Sequence, residues 1–181
     1  MNTDGSDVEV LFSSAEIERR NRELAAEIAD AMGRELLVVA ILKGSFVFAA
    51  DLIRAMHAAG VRPQIDFMTL SSYGSGTKSS GTVTVQRDLR DEVAGREILL
   101  IDDILESGRT LAFAKQMLLD RGAKSVRLCI LLDKPNQRVA EVEADYVGFV
   151  CPDEFVVGYG LDYAHYFREL PYIGILHRKP D

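Results

Sequence analysis

Long apolar runs, a basic surplus and a cysteine framework are all missing from this 181-residue chain, and each absence removes a class of protein. The longest apolar run, Leu36 to Leu42, falls far short of the roughly 20 residues a membrane-spanning helix needs. The N-terminus MNTDGSDVEV is acidic, where a secretory leader would be basic and then apolar. Cys129 and Cys151 sit in apolar surroundings without CxxC or Cys/His spacing, so two packed, reduced thiols in a cytoplasmic protein are expected rather than a disulfide. A net charge of −7 argues against a broad nucleic-acid surface. An anionic ligand would need local help from lysine, helix N-termini or a metal. His57, His165 and His177 show no Ser-His-Asp order or metal-ligand spacing and read as solvated or packed. The G-x4-G-K-[ST] spacing of a nucleoside-triphosphate loop is met neither at Gly108-Arg109-Thr110 nor at Gly76-Thr77-Lys78-Ser79.

What is present fits one globular domain, with 48% hydrophobic and 27% charged residues. Residues 10–181 are expected to form it and residues 1–9 to be disordered. Ser14 to Met32 carries apolar residues at helical spacing, with serines ahead to cap it and Gly33 to end it. Leu36 to Leu42 is short and β-branched, as in a parallel strand covered on both faces. Phe46 to Ala59 repeats the helical pattern and stops at Gly60. Ile65 to Leu70 and Val83 to Gln86 read as strands separated by SSYGSGTKSSG, a mobile loop. Ile98 to Ile101 is a further buried strand, followed by a helix from Arg109 to Asp120 and a strand from Val126 to Leu132. Short strands are expected at Tyr146 to Val150, Val156 to Gly158 and Tyr172 to Leu176. The alternation predicts an α/β fold with a right-handed parallel sheet.

The stretch ILLIDDILESGRT, residues 98–110, drives that buried strand into two carboxylates. Ligands of open parallel sheets bind beyond the carboxyl ends of the strands, where Asp102 and Asp103 stand. Consecutive strand residues point to different sides, which suits gripping a sugar diol or a hydrated metal better than sharing one proton. Glu106-Ser107-Gly108-Arg109-Thr110 then opens a helix with free N–H groups, hydroxyls and a glycine, a cup for phosphate. Ordinary N-capping by Ser107 accounts for part of that loop, but not for two aspartates immediately after a strand. A receiver-type phosphoacceptor domain also places acids at a strand end; it leaves the SGRT cup unexplained.

An apolar strand, two acids, two apolar residues, then acid, Ser/Thr, Gly, any residue and Thr resembles the phosphoribosyl-pyrophosphate signature of the type I phosphoribosyltransferases. ILKGS (41–45), SSYG (71–74), LLDKP (131–135) and VGFVCPDEFVVGYGLDYAHYFRELPYIG (147–174) narrow the resemblance to the hypoxanthine(-guanine) branch, over roughly residues 10–176. The resemblance implies a parallel sheet flanked by helices, a small hood built from the terminal segments, and a flexible loop near residues 71–82. It implies that Asp102 and Asp103 hold the ribose hydroxyls and that Ser107, Gly108, Arg109 and Thr110 wrap the 5′-phosphate. Lys43 and Gly44 would meet the pyrophosphate, entered through a cis peptide at Leu42-Lys43. Arg168, Ser72 and Tyr73 would assist there, the last two on a loop that closes and excludes water. Lys134 would donate to the purine 6-oxo group, Phe155 would stack on the base, and the backbone near Val156 and Asp162 would read its edge. Asp162 would also hold Mg²⁺. Without the resemblance, Lys43-Gly44 is only a turn, Lys134 a solvated lysine and Phe155 a core residue.

Glu106 falls where the family commonly has an aspartate that takes or shares the proton of purine N7, and Asp102-Asp103 where it usually has Glu-Asp. Each change keeps a carboxylate and alters its reach by one methylene. The implied activity is purine salvage with phosphoribosyl pyrophosphate and a 6-oxopurine as substrates, in a homodimer or homotetramer, without nucleic-acid or membrane partners. Two alternatives stay open: a phosphoribosyltransferase for xanthine or another base, and a pyrimidine-operon type of RNA-binding regulator on the same fold.

Overall fold

In the computed structural model, residues 8–72 and 83–177 are described. Strand β1 (Val8–Phe12) leads into helix α1 (Ser14–Met32), then β2 (Leu37–Leu42), α2 (Phe46–Ala58), β3 (Gln64–Ser72) and β4 (Val83–Arg87). The chain continues through β5 (Glu97–Leu105), α3 (Arg109–Asp120), β6 (Ser125–Asp133), a 3₁₀ turn at Pro135–Gln137, β7 (Tyr146–Val150), β8 (Val156–Val157) and β9 (Ile173–Leu176). The six-stranded sheet runs in the order β4-β3-β2-β5-β6-β7, parallel except for the β4 edge.

Each central strand is covered on both faces, which is why its sequence reads as a nearly continuous apolar run. Val38, Ala40, Leu99, Ile101, Cys129 and Leu131 pack with α1 and α2 on one face. Leu37, Val39, Ile41, Ile98, Leu100, Leu128 and Ile130 pack with α3 on the other. Both cysteines are buried and unpaired, and burial pushes their thiols upward, furthest for Cys129. Helix α1 starts on a complete capping box: the Ser13 hydroxyl accepts from the Glu16 N–H, and the Glu16 carboxylate accepts from the Ser13 N–H at 2.9 Å. It ends at Gly33, whose φ of 79° suits a residue without Cβ.

Three boundaries differ from expectation by more than one residue. Val8 and Glu9, assigned above to a disordered tail, pair with Leu176 and Ile175, so β1, β9 and β8 make a small antiparallel hood sheet from the two ends of the chain. Ser71 and Ser72, assigned to the loop, continue β3 by pairing with Thr84 and Val83. Strand β5 does not stop at Ile101. It runs to Leu105, because β6 goes on offering partners: Asp102 faces Ile130, Ile104 faces Leu132 and Leu105 faces Asp133.

Candidate active site

From β2 the chain winds outward to β3, and from β5 it winds the opposite way to β6, so the sheet reverses direction between β2 and β5. A crevice is expected at such a switch point, beyond the strand C-termini. The β2–β5 register ends at Ala40 and Ile101, and the two strands part there. Lys43 and Gly44 follow β2; Asp102 and Asp103 lie on β5 just beyond its last pair with β2. Between them lies a cavity of about 290 Å³ lined by Lys43, Gly44, Asp102, Asp103, Glu106 and the loop residues Ser107, Gly108 and Thr110, among others.

The acidic pair is tightly housed. Asp102 is 8% exposed; burial first, then the Asp103 charge and hydrogen bond, push its carboxyl well above the usual range. Burial also raises Asp103, against the opposing pull of hydrogen bonds and of Arg168. The two carboxyls are therefore less independent than two separately aimed groups would be, since each is raised by burial and Asp102 also feels the Asp103 charge. Gly44 makes room for Asp103. A Cβ there would fall 1.5 Å from the Asp103 Oδ2. On the other side of the same peptide, a Cβ on Gly160 would lie 2.2 Å from the Gly44 carbonyl oxygen. The Leu42–Lys43 peptide entering this turn is cis, as the resemblance implied.

The loop expected to form a phosphate cup is open at its helix end. Ser107 does not cap α3: the N-cap is Gly108, with φ 78° and no capping side chain, and the Ser107 hydroxyl accepts from the Arg109 N–H at a long 3.5 Å. The first-turn amides and the positive end of the helix dipole are thus aimed at the cavity mouth. The loop is propped from behind. The Ser107 carbonyl accepts from the Val139 and Ala140 N–H groups at 3.0 and 2.9 Å, while Arg138, paired with Asp133 and donating to the Val142 carbonyl, lays its stem under Gly108.

Lys134 is not a solvated lysine. It is buried at 6% exposure, and its ammonium donates to Glu106 Oε1 at 2.8 Å and to the Glu154 carbonyl at 2.9 Å. Phe155 is 41% exposed rather than core, with its ring edge-on to Tyr163 at 5.6 Å, and Val156 is buried in β8. Asp162 Oδ1 pairs with Arg168 at 2.6 Å, and its Oδ2 accepts the His165 N–H at 2.9 Å. Arg168 donates in addition to the Gly160 carbonyl. Arg109 is exposed at the start of α3. Ser72 is the last residue of β3; Tyr73 lies outside the described residues. Among the described residues, no three His, Cys, Asp or Glu side chains converge as a metal cage.

The family described as phosphoribosyl transferase domain matches residues 7–164. The chain is 47% identical to the hypoxanthine-guanine phosphoribosyltransferase of Bacillus subtilis, covering 92% of each. It belongs to the hypoxanthine phosphoribosyltransferase family. A hypoxanthine phosphoribosyltransferase from Staphylococcus aureus has the same fold, with a TM-score of 0.90 at 45% identity, covering 98% of this chain and 96% of that one. A bifunctional TilS/HprT protein of Listeria monocytogenes is 51% identical over 95% of this chain, which spans only 26% of that longer relative.

Some supports of this candidate site left no mark in the sequence. The Tyr159 hydroxyl donates to Asp51 Oδ2 at 2.7 Å and accepts from Asn21 Nδ2 at 2.9 Å, tying the Asp162–Arg168 segment to both α1 and α2. Tyr159, Ala164, His165 and Phe167 all have φ between 50° and 76°, costing about 1 kcal/mol or more each, so this segment needs such anchors. Only the glycines at 158 and 160 hinted at unusual backbone there.

Proposed function

We propose that the chain transfers the 5-phosphoribosyl group of phosphoribosyl pyrophosphate to hypoxanthine, and also to guanine, giving IMP or GMP and pyrophosphate. The observation that carries this reading is the pairing of buried Lys134 with Glu106 at the wall of a cavity that also holds the acidic pair and the uncapped α3 loop. A 6-oxopurine presents an acceptor at O6 beside N7, and an ammonium beside a carboxylate complements that edge when N7 carries its proton.

In this mechanism Ser107, Gly108, Arg109 and Thr110 receive the 5′-phosphate, and Asp102 and Asp103 accept hydrogen bonds from the ribose hydroxyls. As the C1′–O bond breaks, positive charge grows on the ribose and negative charge on the pyrophosphate. Lys43 and Arg168 meet the latter, Arg168 exchanging part of its contact with Asp162 for phosphate oxygens. Phe155 stacks on the base, Lys134 donates to its 6-oxo group, the backbone around Val156 and Asp162 reads its far edge, and Glu106 takes the N7 proton. Ser72 and Tyr73 belong to the loop that covers the reacting centre. Mg²⁺ suits the donors present, since it is held through one or two carboxylates together with substrate phosphates rather than by an all-protein cage. Asp162 would hold it, and when bound it supplies positive charge against the pyrophosphate. We read the chain as a cytoplasmic homodimer or homotetramer.

Nucleotide formation with hypoxanthine, guanine, xanthine, adenine and uracil tests the reading. Turnover with hypoxanthine and guanine, and little with adenine or uracil, is expected; no turnover with any 6-oxopurine would overturn it.

A further inference from the structure

We infer that Lys134 latches Glu106 until a purine arrives, and that this contact suppresses hydrolysis of phosphoribosyl pyrophosphate by water. The inference rests on Glu106 being the base of the proposed reaction. A carboxylate that accepts a proton from purine N7 can accept one from water in the same place. The Glu106 side chain is 48% exposed and shares the cavity wall with Asp102, Asp103 and the cup, so water reaches it. The competing step balances without any other reactant: water oxygen bonds to C1′, the C1′–O bond to pyrophosphate breaks, and the water proton passes to Glu106, leaving ribose 5-phosphate and pyrophosphate.

The Lys134 contact opposes this step in two ways. Its ammonium sits 2.8 Å from Glu106 Oε1, so one carboxylate oxygen is engaged and its charge is met. The lysine itself cannot follow the carboxylate into solvent: its side chain is 7% exposed, its ammonium is also tied to the Glu154 carbonyl, and its backbone N–H is bonded to the Leu105 carbonyl at 3.0 Å. Glu106 is thereby held beside Lys134. A 6-oxopurine offers O6 to the ammonium and N7–H to the carboxylate, and so releases the base at the moment its proper proton donor is present. Water offers no such two-point exchange. The length of glutamate matters here: an aspartate at position 106 is shorter by about 1.5 Å, which from the same backbone puts its carboxylate beyond hydrogen-bonding range of Lys134.

The test is release of pyrophosphate from phosphoribosyl pyrophosphate and Mg²⁺ with no purine present, using the full chain. Lys134→Met and Glu106→Asp, which unlatch the carboxylate from opposite sides, are each expected to raise purine-independent release at least about tenfold, the low side of what a positioned base supplies. The double variant Lys134→Met/Glu106→Gln is expected to return to the wild-type level. Because Lys134 is buried, Glu106→Asp carries the test if Lys134→Met does not fold. No rise in the folded single variants, or a rise that persists in the double variant, overturns the latch. Failure of the underlying reading looks different: Glu106→Gln then forms nucleotide from hypoxanthine at the wild-type rate.

Discussion

Replacing Gly44 with alanine tests how closely the turn after β2 and the Asp103 carboxylate are packed. The added methyl would lie 1.5 Å from Asp103 Oδ2 and 2.5 Å from its Cγ, so one of the two groups must move by well over an ångström. The turn is not free to yield, because Gly160 already closes on the Gly44 carbonyl from the far side. The Asp103 carboxylate therefore swings away and loses the Ile104 N–H that Oδ1 accepts at 2.9 Å. That hydrogen bond is worth about 1 kcal/mol, and leaving a good rotamer costs about another 1 kcal/mol. Displaced from where it would accept a ribose hydroxyl, the carboxylate also forfeits a hydrogen bond to the substrate, and for a charged group this is worth about 2 kcal/mol, or roughly 30-fold in affinity. Initial rates at saturating hypoxanthine should show KM for phosphoribosyl pyrophosphate rising by about that factor in Gly44→Ala. Gly95→Ala is the control: Gly95 has φ 74° and nothing near its missing Cβ, so it should lose about 1 kcal/mol of stability with KM unchanged. An unchanged KM in Gly44→Ala would refute the packing argument.

Two further outcomes are expected. The Asp102 carboxyl is held well above the ordinary value of 3.8 by burial and by Asp103, so the fold favours its neutral form and ionisation costs stability once pH rises past that value. Asp102→Asn should therefore raise Tm more at neutral pH than near pH 4 while weakening phosphoribosyl pyrophosphate binding; equal Tm gains in melts at the two pH values would contradict the sign. Tyr159→Phe removes the hydroxyl shared by Asp51 and Asn21, at a cost of about 1–3 kcal/mol. Thermal melts should show the loss, and the reverse reaction should show a raised KM for pyrophosphate, because the segment that carries Arg168 is loosened.

Local chemistry was the legible part of this chain. Helix α1 has its start and stop written at Ser13 and Gly33, and α3 runs between the limits that its apolar spacing set. The acidic pair straight after the apolar run ILLI pointed to the cavity, although it lies within β5 rather than beyond its end. Where expectation and structure part, the deciding partner lies far away in sequence. Strand β5 continues past Ile101 because β6 pairs with it, and Ser107 looks like a cap only until Gly108 is seen to occupy that position. Nothing near Lys134 announces Glu106, 28 residues earlier, and nothing near Tyr159 announces Asn21, 138 residues away. Such contacts are set by how strands and helices are stacked, not by spacing along the chain.

Single-turnover formation of IMP from bound phosphoribosyl pyrophosphate and hypoxanthine, compared between the wild-type chain and Glu106→Gln, is the most direct test of the site. Glutamine keeps the shape and length of the side chain and removes the charge proposed to accept the N7 proton. Binding of phosphoribosyl pyrophosphate should be nearly unchanged while the chemical step slows by about 10²–10⁴. Equal rates for the two proteins would remove Glu106 from the chemistry, and with it the central claim.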